Sequence, residues 1–504
     1  MTVSGTIKVE MQFAGTAGAW TDITADVQYP VKCSYGIKGN SISNRVADTG
    51  ILTFALDNSA QNSAGSLGYY SPGGANVRAG FAPGIAARLT VSSGTMSRLF
   101  YGHIPSDGIQ PEPLQYSTRR TEVTVLDWMD YAAQFPIKLQ AMQTDKRIDE
   151  VVGTIVGLMP IAPLNTDYGT GQETFSYVFD TVGNNTRAMA EFQKIAMSEF
   201  GYITVEHDAV YGETLTVESR YGRVGLSNIG TISDAMTEIE TQYGANYANK
   251  IKVTSYPRKI DAAATTVLAK LQKIINLSSG DSTTIYQKFR DPVGGSQKVA
   301  GTDMVSPVAT TDYVMNAQAD GLGADLTAYL SVTATYGAEG VSWALSNTGA
   351  ADGYVTLLQA RGKGIYTFDE SVSISDDAAE ISAFGEVEVV IDQKYQDNPL
   401  SAESVSKYWK NRLVVRRNDV NSVTFVPNKN EALMCLFMCA YIGRQFNLSE
   451  TVTDVDGNYF INGIEYEIIA GGIITCTLYP LQSSGENYWT LGYSELGVST
   501  ILGY

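Results

Sequence analysis

The chain has 504 residues, enough for about three domains at roughly 150 residues each. Hydrophobic residues make up 44% and charged residues only 17%, below the ~25% of an ordinary globular protein, so the folded chain is expected to cover much of its surface with other subunits. A net charge of −18, with no basic cluster denser than short pairs such as Arg119-Arg120 and Arg416-Arg417, argues against a duplex-binding protein, which needs clustered cations to neutralise phosphates. It suits either plain solubility or a surface past which DNA slides without sticking.

The opening segment MTVSGTIKVEM has no basic region and no apolar core, so it does not read as a signal peptide. The expectation is a protein made and kept in a cytoplasm. Residues 1–135 read as a β domain. Ile51 to Leu56 is a strand closed by Asp57-Asn58-Ser59, Gly68 to Gly74 is a Gly- and Pro-rich loop, and Glu122 to Trp128 begins with the alternation of a half-buried strand. Residues 136–225 read as a small α/β domain. Ile148, Val151, Val152, Ile155 and Met159 recur at helical spacing before Pro160. A second helix over about 186–200 presents Ala188, Met189, Phe192, Ile195 and Ala196, with Gly201 expected as its left-handed cap. Strands are predicted at 202–205 and 214–218, with His207 in a turn between them.

Residues 226–261 return to strands, with Ile251 and Val253 alternating with Lys250 and Lys252. Residues 262–378, rich in Gly, Ala, Ser, Thr and Asp, read as an inserted β-sandwich with turns at Asn347-Thr348-Gly349 and Asp352-Gly353. Residues 379–482 resume the interrupted domain. They hold a strand from Gly385 to Ile391, a helix from about Ser401 with Val405, Tyr408, Trp409 and Arg412 on one side, and an apolar helix from Glu431 to Tyr441. Asp456-Gly457 and Asn462-Gly463 are predicted as two-residue hairpin turns, and Gly471-Gly472 as a third turn. The apolar run from Ala432 to Gly443 is too short for the ~20 residues of a membrane span. Residues 483–504 form a tail that cannot build a core, and the reading is docking on a neighbouring subunit or tail protein through Trp489, Leu491, Leu496 and Leu502. An edge strand of its own domain is the other reading. The fold class is therefore α+β, mostly β.

Signs of chemistry are few. The two histidines, His103 and His207, sit in no metal-binding spacing, and Cys33, Cys435, Cys439 and Cys476 show neither disulfide nor zinc spacing. Asp454 to Asn458 has a faint likeness to a calcium loop, but its register is wrong and a turn fits better. A glycosidase needs only two carboxylates and cannot be picked out among 53 acidic residues. No enzyme activity, cofactor or metal is expected.

Several runs carry a resemblance. These are Gly50 to Ser59, Tyr69-Tyr70-Ser71-Pro72 with Arg78-Ala79-Gly80-Phe81, Phe100 to Ile104, and Val125-Leu126-Asp127-Trp128. With the order of the blocks, they resemble the tail-hub (baseplate hub or minor tail) proteins of long-tailed bacteriophages, over about 1–260 and 380–504. The resemblance implies two barrel-like hub domains per chain and a homotrimer offering six quasi-equivalent positions. It implies a virion protein of the tail tip, assembled in the host cytoplasm, that joins a six-fold tube to a three-fold tip. Distal tail and tube proteins, a tape measure protein and tip or fibre proteins would be its partners, and DNA would pass without specific binding. Two alternatives stay open: a peripheral receptor-binding or spike protein whose 262–378 sandwich binds carbohydrate, and a cell-wall hydrolase of the tail tip.

Overall fold

The computed structural model describes residues 5–483 apart from 16–17, 40, 113–118, 181–185, 209, 211 and 294–298. One strand organises it. Val27–Gly36 pairs antiparallel with Asp48–Asp57 on one edge and, over Val31 to Gly36, with Val455–Ile469 on the other, so its central residues have ladder partners on both sides. Segments from opposite ends of the chain thus enter one sheet. Among the described residues that sheet has 14 strands, running from Glu238–Tyr243 at one end to Thr21–Asp22 at the other. Those end strands do not pair with each other, so no closed barrel forms among the described residues. The stretches read as two separate barrel-like hub domains instead contribute strands to one open sheet. They also share one core, which includes Val9, Tyr35, Phe54, Phe100, Phe437, Phe446 and Tyr466. The fold is mostly β, as expected.

The alternation that predicts strands also decides what is buried. In Ala86–Ser93, Ala87, Leu89 and Val91 face the core, while Arg88 and Thr90 face away. The tandem Gly471-Gly472 turn has φ of 89° and 73°, values open to glycine without strain.

Three expected turns need correction. Asn462-Gly463 is not a hairpin turn: Val455–Ile469 runs straight through it, with a register shift between Ile461 and Gly463 against the next strand. Here the Ile37 N–H donates to the Asn462 carbonyl at 2.7 Å, and a Cβ on Gly463 would lie 2.6 Å from the Ile37 carbonyl oxygen. Close approach of another strand, rather than a reversal, demands the glycine. Asp456-Gly457 also lies within the strand, and the reversal comes earlier, between Glu450 and Val455. His207 is likewise no turn residue, because it sits inside the strand Tyr202–Asp208 and is buried.

The small α/β unit holds helices Ile148–Leu158 and Ala188–Glu199 against the strands Tyr202–Asp208 and Gly212–Glu218. The second helix ends on a left-handed residue, but that residue is Phe200, with φ of 60°, and its carbonyl accepts from Arg45 Nη1 at 3.1 Å. Gly201 is required for a different reason: a Cβ there would sit 2.3 Å from the Glu218 carbonyl oxygen.

The inserted segment is built on Gly353–Thr367. One edge of this strand pairs in series with Ile275–Leu277, Thr266–Lys270 and Arg258–Ile260, the other with Tyr313–Asn316 and Val299–Thr302. A second sheet joins Ser282–Lys288, Gly340–Asn347 and Leu330–Tyr336. The two sheets enclose their own core around Trp343, Leu268, Met315 and Val355. The segment's ends lie side by side, since Arg258 pairs with Thr367 and the Phe368 N–H donates to the Pro257 carbonyl at 3.1 Å. It also touches the chain elsewhere: the Ala338 N–H donates to the Gln140 carbonyl at 2.6 Å, and Gly337 packs on Leu139.

Candidate functional site

The residues that carry the sequence resemblance come together. Ile51 and Leu52 pair with Leu126 and Val125, and His103 pairs with Leu126. Tyr70 is buried beside them; its hydroxyl donates to Asp26 Oδ2 at 2.6 Å and its N–H to Asn58 Oδ1 at 2.7 Å. Arg78 lies over the Phe13 ring at 3.9 Å, and Phe81 meets Tyr70 edge-on. Gly50 has no room for a side chain, because a Cβ would fall 2.3 Å from Asp127 Oδ2.

Next to this group lies a buried polar junction. Arg98, on Met96–His103, donates from Nη1 to the Phe437 carbonyl at 2.7 Å and from Nη2 to the Tyr35 hydroxyl. The Tyr35 hydroxyl reaches Glu206 Oε1 at 3.4 Å, and Glu206 accepts from the His207 N–H at 2.8 Å and from the Ile442 N–H. Three parts of the chain meet here: the large sheet, the small α/β unit, and the segment after the helix Glu431–Cys439. Burial raises the Glu206 carboxyl above its ordinary range, while Arg98 and the two backbone donors pull it down. A buried guanidinium is costly unless its charge and donors are answered; these contacts answer Nη1, Nη2 and the charge, while Nε is buried without a hydrogen-bond partner among the described residues.

A few ångströms on, Asp127 Oδ1 accepts from the Met129 N–H at 3.0 Å and Glu213 Oε1 from the Trp128 N–H at 2.6 Å. His207 Nδ1 accepts from the Tyr101 N–H at 3.3 Å, which places its proton on Nε2, 3.7 Å from Asp127 Oδ2. Carboxylates and an imidazole thus stand together, but all three side chains are buried, so the group joins parts of the fold rather than lining an open cleft. Burial pushes the Glu213 carboxyl well above its usual range; the neighbouring Asp127 charge adds to this and the Trp128 N–H opposes it. A carboxyl with a raised folded pKa contributes stability that is fully present below its unfolded pKa and lost as pH rises through the folded one. Glu213→Gln keeps the shape and the acceptor but cannot ionise. From about pH 5 upward the parent should lose stability relative to this variant, by up to ~1.4 kcal/mol for each unit separating the two pKa values. Urea midpoints across that pH range test it, and parallel curves for parent and variant would show that Glu213 ionises normally.

Among the described residues a conspicuous apolar face lies at the surface. The strands Ser371–Asp376, Lys250–Ser255 and Glu388–Asp392 form a three-stranded sheet. One side is covered by the helix Pro399–Leu413, where Ala402 and Val405 pack on Ile251, Val253 and Ile391. The other side is open. There Lys252 lies between Ile374 and Val390, which are 54% and 51% exposed, with Val372 beside them. The adjoining helix Ala378–Phe384 buries none of its residues, and its Phe384 is 63% exposed. The alternation of Ile251 and Val253 with Lys250 and Lys252 foretold the buried side. The open side went unread because a short strand with apolar residues toward solvent looks like any other.

Trp489, Leu491, Leu496 and Leu502 lie outside the described residues. His103, the last residue of its strand, sits 3.2 Å from Asp130 Oδ2 and stacks on Tyr131. Among the described residues no group of three His, Cys, Asp or Glu side chains is placed to hold a metal ion, and no helix is long and apolar enough to cross a membrane. Sequence reasoning missed Arg98 and Glu206 altogether. Their only signal is a charged residue at an inward position of an alternating strand.

No protein-family model matches the sequence, and no curated protein matches it. Solved structures do. One is a 43 kDa tail protein of prophage MuSo2 from Shewanella oneidensis, 9% identical, with a TM-score of 0.47 and coverage of 95% of this chain and 98% of that one. A second is a tail protein from Neisseria meningitidis MC58, 8% identical, with a TM-score of 0.47 and coverage of 95% and 97%. A third is prophage tail protein gp18 from Listeria monocytogenes EGD-e, 8% identical, with a TM-score of 0.42 and coverage of 95% of each chain. All three of these structural neighbours are tail proteins.

Proposed function

We propose that this chain is a structural component of a phage tail tip, a non-enzymatic hub whose three copies join a six-fold tube to a three-fold tip around a channel. The sequence resemblance supplies the tail assignment. The observation that carries an assembly role is the open apolar face of Val372, Ile374 and Val390. Exposed apolar patches of this kind, in a chain so poor in charge, fit a surface covered in the assembled state. The occupant proposed for it is a second copy of the chain, in a head-to-tail contact that closes after three copies. The tail residues Trp489, Leu491, Leu496 and Leu502 belong to the same reading, as anchors on a neighbouring subunit or tail protein.

The test is mass by light scattering. The purified chain, alone or with its tail neighbours, should form trimers. The double variant Ile374→Asp/Val390→Asp should shift the monomer–trimer equilibrium by roughly 100-fold or more toward monomer. Two apolar side chains worth ~1.5–3 kcal/mol each are lost, and two charges would have to be buried. Melting of the monomer should not change, because both positions already face solvent. A variant that still trimerises normally would remove this face from the contact, and a stable monomer under every condition would remove the hub.

A further inference from the structure

We propose that a cleft between the large sheet and the small α/β unit is a binding subsite for an uncharged pyranose sugar. This inference stands apart from the tail reading and rests on the cleft alone. Its floor is the outward face of two paired strands, Ala86–Ser93 and Met96–His103. There Arg88 lies beside Tyr101 and Thr90 beside Leu99. Gln12 and Trp20 flank this floor, and Leu164 and Gly212 of the α/β unit stand across it. The cleft measures about 470 Å³, inside the ~300–1,000 Å³ range of small-molecule sites.

The lining matches a molecule with an apolar C–H face and a rim of hydroxyls. Trp20 and Tyr101 meet at right angles, with ring centroids 6.0 Å apart and planes at 75°. The Arg88 guanidinium stacks over the indole at 4.2 Å and is held by Glu10, which takes its Nε at 2.7 Å and Lys8 Nζ at 2.7 Å. Fixed in this way, Arg88 keeps its Nη donors for hydroxyl oxygens. Gln12 Nε2 donates to the Gly18 carbonyl at 3.1 Å, so its amide oxygen is an acceptor at a fixed place, and the hydroxyls of Thr90 and Ser97 supply both roles. Arg88, the one charged residue of the lining, is already paired with Glu10, so a charged ligand gains no free counter-ion there, and a purely apolar one would strand the polar half of the lining.

Saturation-transfer NMR on the full chain tests the site, with the methyl glycosides of glucose, galactose, rhamnose and N-acetylglucosamine as probes at millimolar concentration. At least one should receive magnetisation on its ring C–H protons. That signal should fall at least five-fold in Trp20→Ala and in Thr90→Tyr. The second variant leaves the indole and Arg88 in place and fills the cleft from a solvent-facing strand position, so it reads the site even if Trp20→Ala disturbs the local fold. No transfer to any of the four glycosides would overturn the proposal. So would transfer that persists in Thr90→Tyr, which would put the sugar elsewhere.

Discussion

Replacing Arg98 with methionine should cost the protein about 3–5 kcal/mol, a large share of the ~5–15 kcal/mol that holds a domain folded. The side chain is fully buried, and its Nη1 and Nη2 donors end on the Phe437 carbonyl and the Tyr35 hydroxyl. Its charge faces Glu206, whose carboxyl also lies in the interior against the His207 and Ile442 N–H groups. Methionine fills much of the volume but leaves the Phe437 carbonyl and the Tyr35 hydroxyl without their donor, and Glu206 without the cation that faces it. The double variant Arg98→Met/Glu206→Gln removes both charges and should recover part of the loss, since the cost of breaking such a pair is mostly that of the partner left behind. Guanidinium chloride midpoints of parent, single and double variants measure this. If the double variant were no more stable than the single, Glu206 would not be the group that Arg98 serves. Because the junction joins the large sheet, the α/β unit and the chain after Cys439, the single variant should also lose the cooperativity between them.

How much of this was legible beforehand varies with the kind of signal. The helices at Ile148–Leu158 and Ala188–Glu199 follow directly from apolar residues at 3.6-residue spacing. The buried side of Lys250–Ser255 follows from strict alternation. Glycine was read poorly, because one residue type answers two demands. Gly471-Gly472 supplies positive φ, but Gly463 and Gly201 are there because another strand's carbonyl lies within reach of where a Cβ would be. No local pattern distinguishes the two cases. The joining of the first and last segments into one sheet depends on Val27–Gly36 pairing with Val455–Ile469, a partnership between distant stretches that composition and periodicity do not encode. The polar junction was invisible for the same reason. Arg98, Glu206 and Glu213 come from separate strands, and each alone reads as an ordinary charged residue.

Trp343→Ala should unfold the inserted sandwich well before the rest of the molecule. The indole is fully buried, donates from Nε1 to Gln287 Oε1 at 3.1 Å, and meets Tyr336 edge-on. Its truncation leaves a cavity at the centre of a core that shares no residue with the other clusters, at a cost of about 3–5 kcal/mol. In a unit of about 100 residues each kcal/mol lowers the melting temperature by roughly 4–8 °C. Calorimetry should therefore show an early transition from the insert and a later one, close to the parent's, from the large sheet. Two features argue for that separation: the ends of the segment lie side by side at Arg258 and Thr367, and its core is its own. The buried ion pair of Arg258 with Asp180 anchors the root of the segment; beyond that root, the contact of Ala338 with Gln140 and of Gly337 with Leu139 argues against separation. A single hydrogen bond and one small packing contact are worth on the order of 1–2 kcal/mol, less than the expected loss, so the separation should win. A single transition moving down as a whole would show instead that this seam couples the insert to the α/β unit, and that the segment is a structural part of it.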